Sequence, residues 1–153
     1  MKNFYILLFL LMAGTLHAQK TKIKFGNISK EEKTLKACPY DAEAGAVVLS
    51  DVGESWFGFS IGGNPEWTID RHVRIKIFNS QGYDEADVEI PYYTGDDTRV
   101  NVSNFKAQTV SYKNGKEEII KIDKSNIFEE KTNDYYSKVK FTFPKVDDGV
   151  IVE

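Results

Sequence analysis

RHVRIKIFNSQGYDEADVEIPYY, residues 71–93, places two alternating apolar runs on either side of the short segment Asn79-Ser80-Gln81-Gly82, and the pattern predicts a β-hairpin. With Phe78 opposite Tyr83, Val73 falls opposite Val88 and Ile75 opposite Ala86, while Arg74 meets Asp87, Lys76 meets Glu85 and His72 meets Glu89. One face is then dry and the other charge-matched, and a slip of one residue would undo both at once.

Working outward, the segment before the hairpin reads as AVVLSD (46–51), a VGES turn and WFGFSI (56–61), two strands of a second hairpin, with Gly62, Gly63, Asn64 and Pro65 as loop. Further back, Ser29 and Glu32 have capping-box spacing, so SKEEKTLKA (29–37) is expected to be a short helix ending before Pro39, with Asp41 capping one more turn. On the other side, Pro91 cannot donate to a ladder, so its strand is at an edge or leaves the sheet there. Asn114-Gly115 lies between two alternating runs and predicts a type I′ hairpin, since both residues tolerate positive φ. Residues 124–134 are expected to leave the sheet as a helical turn or loop. YYSKVKFTF (135–143) alternates again, with Val139, Phe141 and Phe143 on one side. Gly149 then opens a short run, Val150-Ile151-Val152. Either that strand completes a sheet or the domain continues past Glu153, and continuation is the expectation. The fold class read from this pattern is an antiparallel β-sandwich with one or two short N-terminal helices, spanning residues 19–153 as a single domain.

Composition supports a folded domain: of 153 residues 41% are hydrophobic, 13% aromatic and 28% charged. The formal charge is −3, with no basic stripe, which disfavours nucleic acid as a partner. Residues 1–18 have a lysine at the start, an apolar core from Phe4 to Ala13 and a small residue at Ala18 before Gln19, the pattern of a secretory signal peptide cleaved between the two. The apolar run is short for a membrane span, so no stable anchor is expected after cleavage, and the setting is periplasmic or secreted. Cys38 is the only cysteine, which removes an internal disulfide and, with one histidine in the mature chain, a closed zinc site.

Candidate chemistry is sparse. Cys38, His72 and Asp70 supply the residue types of a thiolate, base and orienter, but Cys38 lies at the wrong end of its helix for activation, and His72 is accounted for by Glu89. No catalytic residue, metal ligand or cofactor is therefore assigned. Asp96-Asp97 is a loop pair of the type that contributes to calcium sites, with solvated turn residues as the plainer reading. Asn101-Val102-Ser103 matches a glycosylation sequon by chance. Aromatics make the stronger case. Trp56-Phe57, Phe59, Trp67, Tyr92-Tyr93 and Tyr135-Tyr136 include neighbours on a strand, which face opposite sides, so each pair sends one ring away from the core. Trp67, Tyr92 and Tyr93 are the candidate binding residues, for a carbohydrate or a peptide.

Four segments, SKEEKTLKACPYDAEAGAVVLSDVGE, RHVRIKIFNSQGYDEADVEIPYY, FKAQTVSYKNGK and FTFPKVDDGVIVE, resemble in that order the N-terminal family called domain of unknown function 3857. The resemblance implies a β-sandwich-like module of exported bacterial proteins, commonly followed by a transglutaminase-like domain that supplies the catalysis, and a pattern that runs on past Glu153. The matching segments are packing motifs and bring no active-site residues with them. The implied function is a non-catalytic interaction or architectural module whose partner is that C-terminal domain or another protein or peptide. The alternative is a carbohydrate- or peptide-binding module acting through surface aromatics.

Overall fold

In a computed structural model that describes residues 23–95 and 100–153, the chain forms two antiparallel sheets packed against each other, with one short helix among the described residues. The helix α1 (Lys30–Thr34) is followed by β1 (Ala46–Phe59), β2 (Pro65–Ile77), a 3-10 turn (Ser80–Ala86) and β3 (Asp87–Tyr93). Next come β4 (Gln108–Lys113), β5 (Lys116–Lys121), a 3-10 turn (Lys124–Asn126), β6 (Phe128–Lys131), β7 (Tyr136–Thr142) and β8 (Ile151–Val152). The strand orders are β1-β2-β8-β4-β5 in one sheet and β3-β7-β6 in the other. The expected β-sandwich is present.

The predicted anchor hairpin is not. β2 pairs with β1 over its whole length, Ala46 opposite Ile77 and Phe59 opposite Pro65, whereas β3 pairs with β7 in the other sheet, Val88 opposite Phe141. The register proposed across residues 79–82 is therefore wrong at every pair. Two local causes explain it. Asn79 caps the following 3-10 turn by accepting from the Gln81 N–H at 2.9 Å, which starts a coil instead of the four-residue reversal. Gly82, moreover, is needed for contact: a Cβ there would meet the carbonyl of Gly45 and, at 2.8 Å, the Ala46 side chain. The 79–86 segment thus carries the chain from one sheet to the other. The VGES turn is likewise absent, because Gly53 sits within β1 opposite Arg71, and the two strands assigned to 46–61 are one.

Other expectations hold. Ser29 and Glu32 form the reciprocal capping box of α1, although the helix ends at Thr34, short of the predicted stop. Asn114 (φ 54) and Gly115 (φ 76) make the β4–β5 turn. Pro91 lies on β3, at an edge of its sheet. Residues 124–134 begin as the expected turn but go on to pair as β6 with β7. β8, only two residues long, lies between β2 and β4 and pairs with both.

The core between the sheets collects Ile77, Ala86, Ala107, Phe143, Val150 and Val152, with Ile75, Val88 and Phe141 packed on them. Burying each large aliphatic or aromatic side chain contributes about 1.5–3 kcal/mol. The five-stranded sheet has a second covered face. Ile151 and Val110 point the other way and pack with Leu49 and Ile28, so the segment running into α1 lies over that side as a third layer. β1 accommodates this with a bulge: an extra residue between Val48 and Ser50 turns Leu49 toward the third layer.

Candidate functional site

β1 and β2 outrun the rest of the sheet. β8 accompanies β2 only at Ile75 and Lys76, so from Asp51 and Val73 outward the two strands form a ribbon of their own, closed by the turn at Ser60–Asn64. Nine residues at about 3.3 Å each make an arm of roughly 30 Å. Strand alternation puts Pro65, Trp67 and Ile69 on the same side of β2 as the core residues Ile75 and Ile77, and their register partners Phe59, Phe57 and Ser55 join them. The inner face of the sandwich therefore continues along the arm, and none of the described residues covers it. Phe57 is 82% exposed, Phe59 78%, Trp67 61% and Ile69 59%, and Ile61 at the tip is fully exposed. Phe57 and Trp67 stack at 5.8 Å with 18° between their planes. Their only charged companions on that face are Asp51 and Arg71 at its root, joined by two hydrogen bonds of 2.8 and 2.6 Å from the guanidinium to the carboxylate. The reverse face is acidic, with Glu54, Asp70 and Glu66 around Trp56 and Thr68.

β1 is also an edge strand, and AVVLSDVGESWFGF contains neither lysine nor proline, the residues that usually protect such an edge.

The candidate residues separate into two places. Trp67 is on the arm. Tyr93, 38% exposed, lies at the end of β3 with Tyr135 stacked at 6.4 Å and Tyr136 edge-on at 5.5 Å. Tyr92 is half-buried and donates its hydroxyl to Glu129. The expectation that one ring of each neighbouring pair faces the core fails on the arm, where Trp56 and Phe57 are both exposed because none of the described residues covers either side of the ribbon. Phe57 and Phe59 stand among the aromatics noted in the sequence but not among its binding candidates, and Ile61 among neither, since a supposed turn separated them from the strand that continues into the core.

The polar residues Arg74, Lys76 and His72, read as a solvated hairpin face, are instead turned under the N-terminal segment, and Arg74 and Lys76 are buried. Arg74 donates to Glu153 Oε2 from Nε at 3.0 Å and from Nη2 at 2.8 Å, to Glu32 Oε1 at 2.9 Å and to the Lys24 carbonyl at 3.2 Å. Glu153 Oε1 accepts from the Gly26 N–H and the Gln108 amide, both at 2.7 Å, and His72 Nε2 lies 3.1 Å from Oε2. Burial pushes the Glu153 carboxyl up, but Arg74, Gly26 and Gln108 together hold it below its ordinary value. Glu32 is depressed for the same balance of reasons, burial against the Ser29 N–H and Arg74. With its side chain wholly enclosed, Glu153 presents no oxygen to a ligand. The cluster is a clamp that ties the first described residues to β2 and β8.

Lys76 donates to the carbonyls of Lys33 at 3.0 Å and Gly149 at 2.7 Å, and burial, helped by the charge of Lys36, lowers it to about 8. It borders a cavity of about 260 Å³ with Lys33, Lys36 and Lys113, of which Lys33 pairs with Glu117 and Lys113 with Asp147. A shallower groove of about 650 Å³ runs past Val88, Phe128, Lys140 and Phe143.

His72 faces Glu153 and the ring of Phe25, 6.0 Å away, and not Glu89 or Cys38. Asp70 points along the acidic face of the arm opposite Glu54. Asp96-Asp97 and the cleavage pair Ala18 and Gln19 lie outside the described residues. Among the described residues no group of three His, Cys, Asp or Glu side chains converges as metal ligands, and no helix is long and apolar enough to cross a membrane. No protein-family model, curated protein or solved structure matches this chain.

Proposed function

We propose that this protein is a non-catalytic binding module that presents the inner face of its arm to a polypeptide partner. The observation that carries the reading is the uncovered run of Phe57, Phe59, Trp67 and Ile69 in continuation of the core face. Soluble proteins seldom leave an apolar patch of several hundred Å² open, and patches of that size mark contact surfaces. A polypeptide suits this face better than a sugar, because the one ion pair on it is already satisfied and sugar sites set hydrogen-bonding side chains beside their rings. A carbohydrate reading is favoured only at Tyr93, Tyr135 and Tyr136, where Asn133 and Asp134 lie next to the rings in sequence. The leader-like residues 1–18 support an exported setting, and the segment resemblance supports a place beside a transglutaminase-like or peptidase-like domain.

The test uses Trp67 as its own reporter. In a Trp56→Phe background, a panel of unstructured peptides rich in Leu, Ile and Phe should shift Trp67 emission to the blue in a saturable way, and Phe57→Ser should weaken that binding at least tenfold. Saturable quenching by oligosaccharides with no response to any peptide would refute the polypeptide reading.

A further inference from the structure

The two sides of the arm differ in charge as well as in polarity. Glu54, Glu66 and Asp70 all lie on the outer side, and on the inner side the charges of Asp51 and Arg71 cancel in a bidentate pair. A surface that meets a copy of itself across a two-fold axis must not oppose like charges, because each group faces its own kind or a symmetric neighbour. The inner face satisfies this condition and the outer face does not.

Size points the same way. The exposed fractions of Phe57, Phe59, Ile61, Trp67 and Ile69 range from 59% to full exposure. At about 150–250 Å² for a whole aromatic side chain, that is on the order of 700 Å² of apolar surface. A standard stable interface takes about 800 Å² from each partner. The arm is in effect half of a sandwich: a two-stranded ribbon with one apolar face, lacking the second layer that a sheet of this kind packs against at about 10 Å.

We propose that a second copy of this chain supplies that layer, the two arms packing inner face to inner face in a two-fold dimer. Trp67 and Phe57 of each copy lie at the centre of the contact, and the outer faces with their carboxylates point away from it. The inference rests on the reading of the arm as an interaction surface, and names its partner.

Sedimentation velocity and light scattering of the full chain from 1 to 200 µM decide it. The expected result is a concentration-dependent dimer that persists at 1 M NaCl, since apolar contact is not screened. Phe57→Ser with Trp67→Ser should raise the dissociation constant at least a hundredfold while the far-UV spectrum is kept, because both side chains lie outside the core. Ile69→Lys, which sets a charge on the same face, should do the same if the double variant melts early. Trp56→Ser, on the opposite side of the same strand, should leave the dimer intact. A chain that remains monomeric at 200 µM, or a dimer that survives the inner-face substitutions, overturns the proposal. If the monomer still binds apolar peptides through Trp67, the arm is an interaction surface for another protein; if it binds none, both readings fall.

Discussion

Replacing Arg74 with methionine removes the guanidinium that supplies two of the hydrogen bonds to Glu153, the bond to Glu32 and the bond to the Lys24 carbonyl, while keeping most of the side-chain volume. Glu153 has no exposed side-chain surface, so its charge has no water to turn to. Breaking a buried pair from one side costs about 3–5 kcal/mol, and the methionine recovers a little packing, which leaves about 3–4 kcal/mol. For a chain of this size that lowers Tm by roughly 10 °C. The pH dependence is a sharper test than the magnitude. In the native chain Glu153 and Glu32 are held below the ordinary value of 4.5, so their contribution is complete above that pH and is lost as the pH falls through their folded values. Without Arg74, burial dominates at Glu153 and raises its pKa, so the variant should gain stability on acidification from pH 7 toward 5, where the native chain does not. Glu153→Gln in the Arg74→Met background should restore part of the loss by removing the stranded charge. Urea denaturation at pH 5, 6 and 7 measures all of this. A loss under 1 kcal/mol with an unchanged pH slope would refute the clamp.

Lys76 titrates at about 8 in the folded chain against 10.5 when free, so between those values the unfolded chain holds a proton that the native one has released, and stability should rise with pH by up to about 3 kcal/mol. Lys76→Met should abolish that alkaline rise; a rise of equal size in the variant would place its origin elsewhere. Gly82→Ala drives a Cβ against the Gly45 backbone and should cost about 1–3 kcal/mol in chemical denaturation, whereas a neutral result would mean that residues 79–86 do not pass under Gly45.

Strand positions were largely legible because alternation depends only on the period of a strand, as YYSKVKFTF and the runs around Asn114-Gly115 illustrate. Which strands pair was not legible in the same way. Val73 and Ile75 alternate equally well whether the partner is β3 or β1, and the charge match of Arg74 with Asp87 on paper had a stronger rival in Glu153, far along the chain. A polar strand face reads as solvated unless something is known to cover it, and the cover here is the segment around Phe25 and Ile28, which the sequence reading assigned to no element. Half-buried Val73, opposite Asp51, and the enclosed Arg74 thus exchange the roles that the hairpin reading gave them. Trp67 was identified as exposed for a sound reason, its place beside the turn, but its partners on the arm were hidden by Gly53, which reads as a turn residue and serves as a strand residue.

The clamp and the arm are two ends of the same strand. On β2 the outer positions 72, 74 and 76 are histidine, arginine and lysine and the inner positions 75 and 77 are isoleucine, so each half of that alternation needs its own cover. Toward Ile77 both covers exist: the second sheet on the inner side, and the clamped N-terminal segment on the outer side. Beyond His72 neither cover continues among the described residues, but the alternation goes on, with Ile69 and Trp67 inside and Asp70 and Glu66 outside. Water serves as cover for the carboxylates and not for the rings. The acidic side of the arm is therefore suited to solvent, and on the proposed reading a partner supplies the cover that the aromatic side lacks among the described residues.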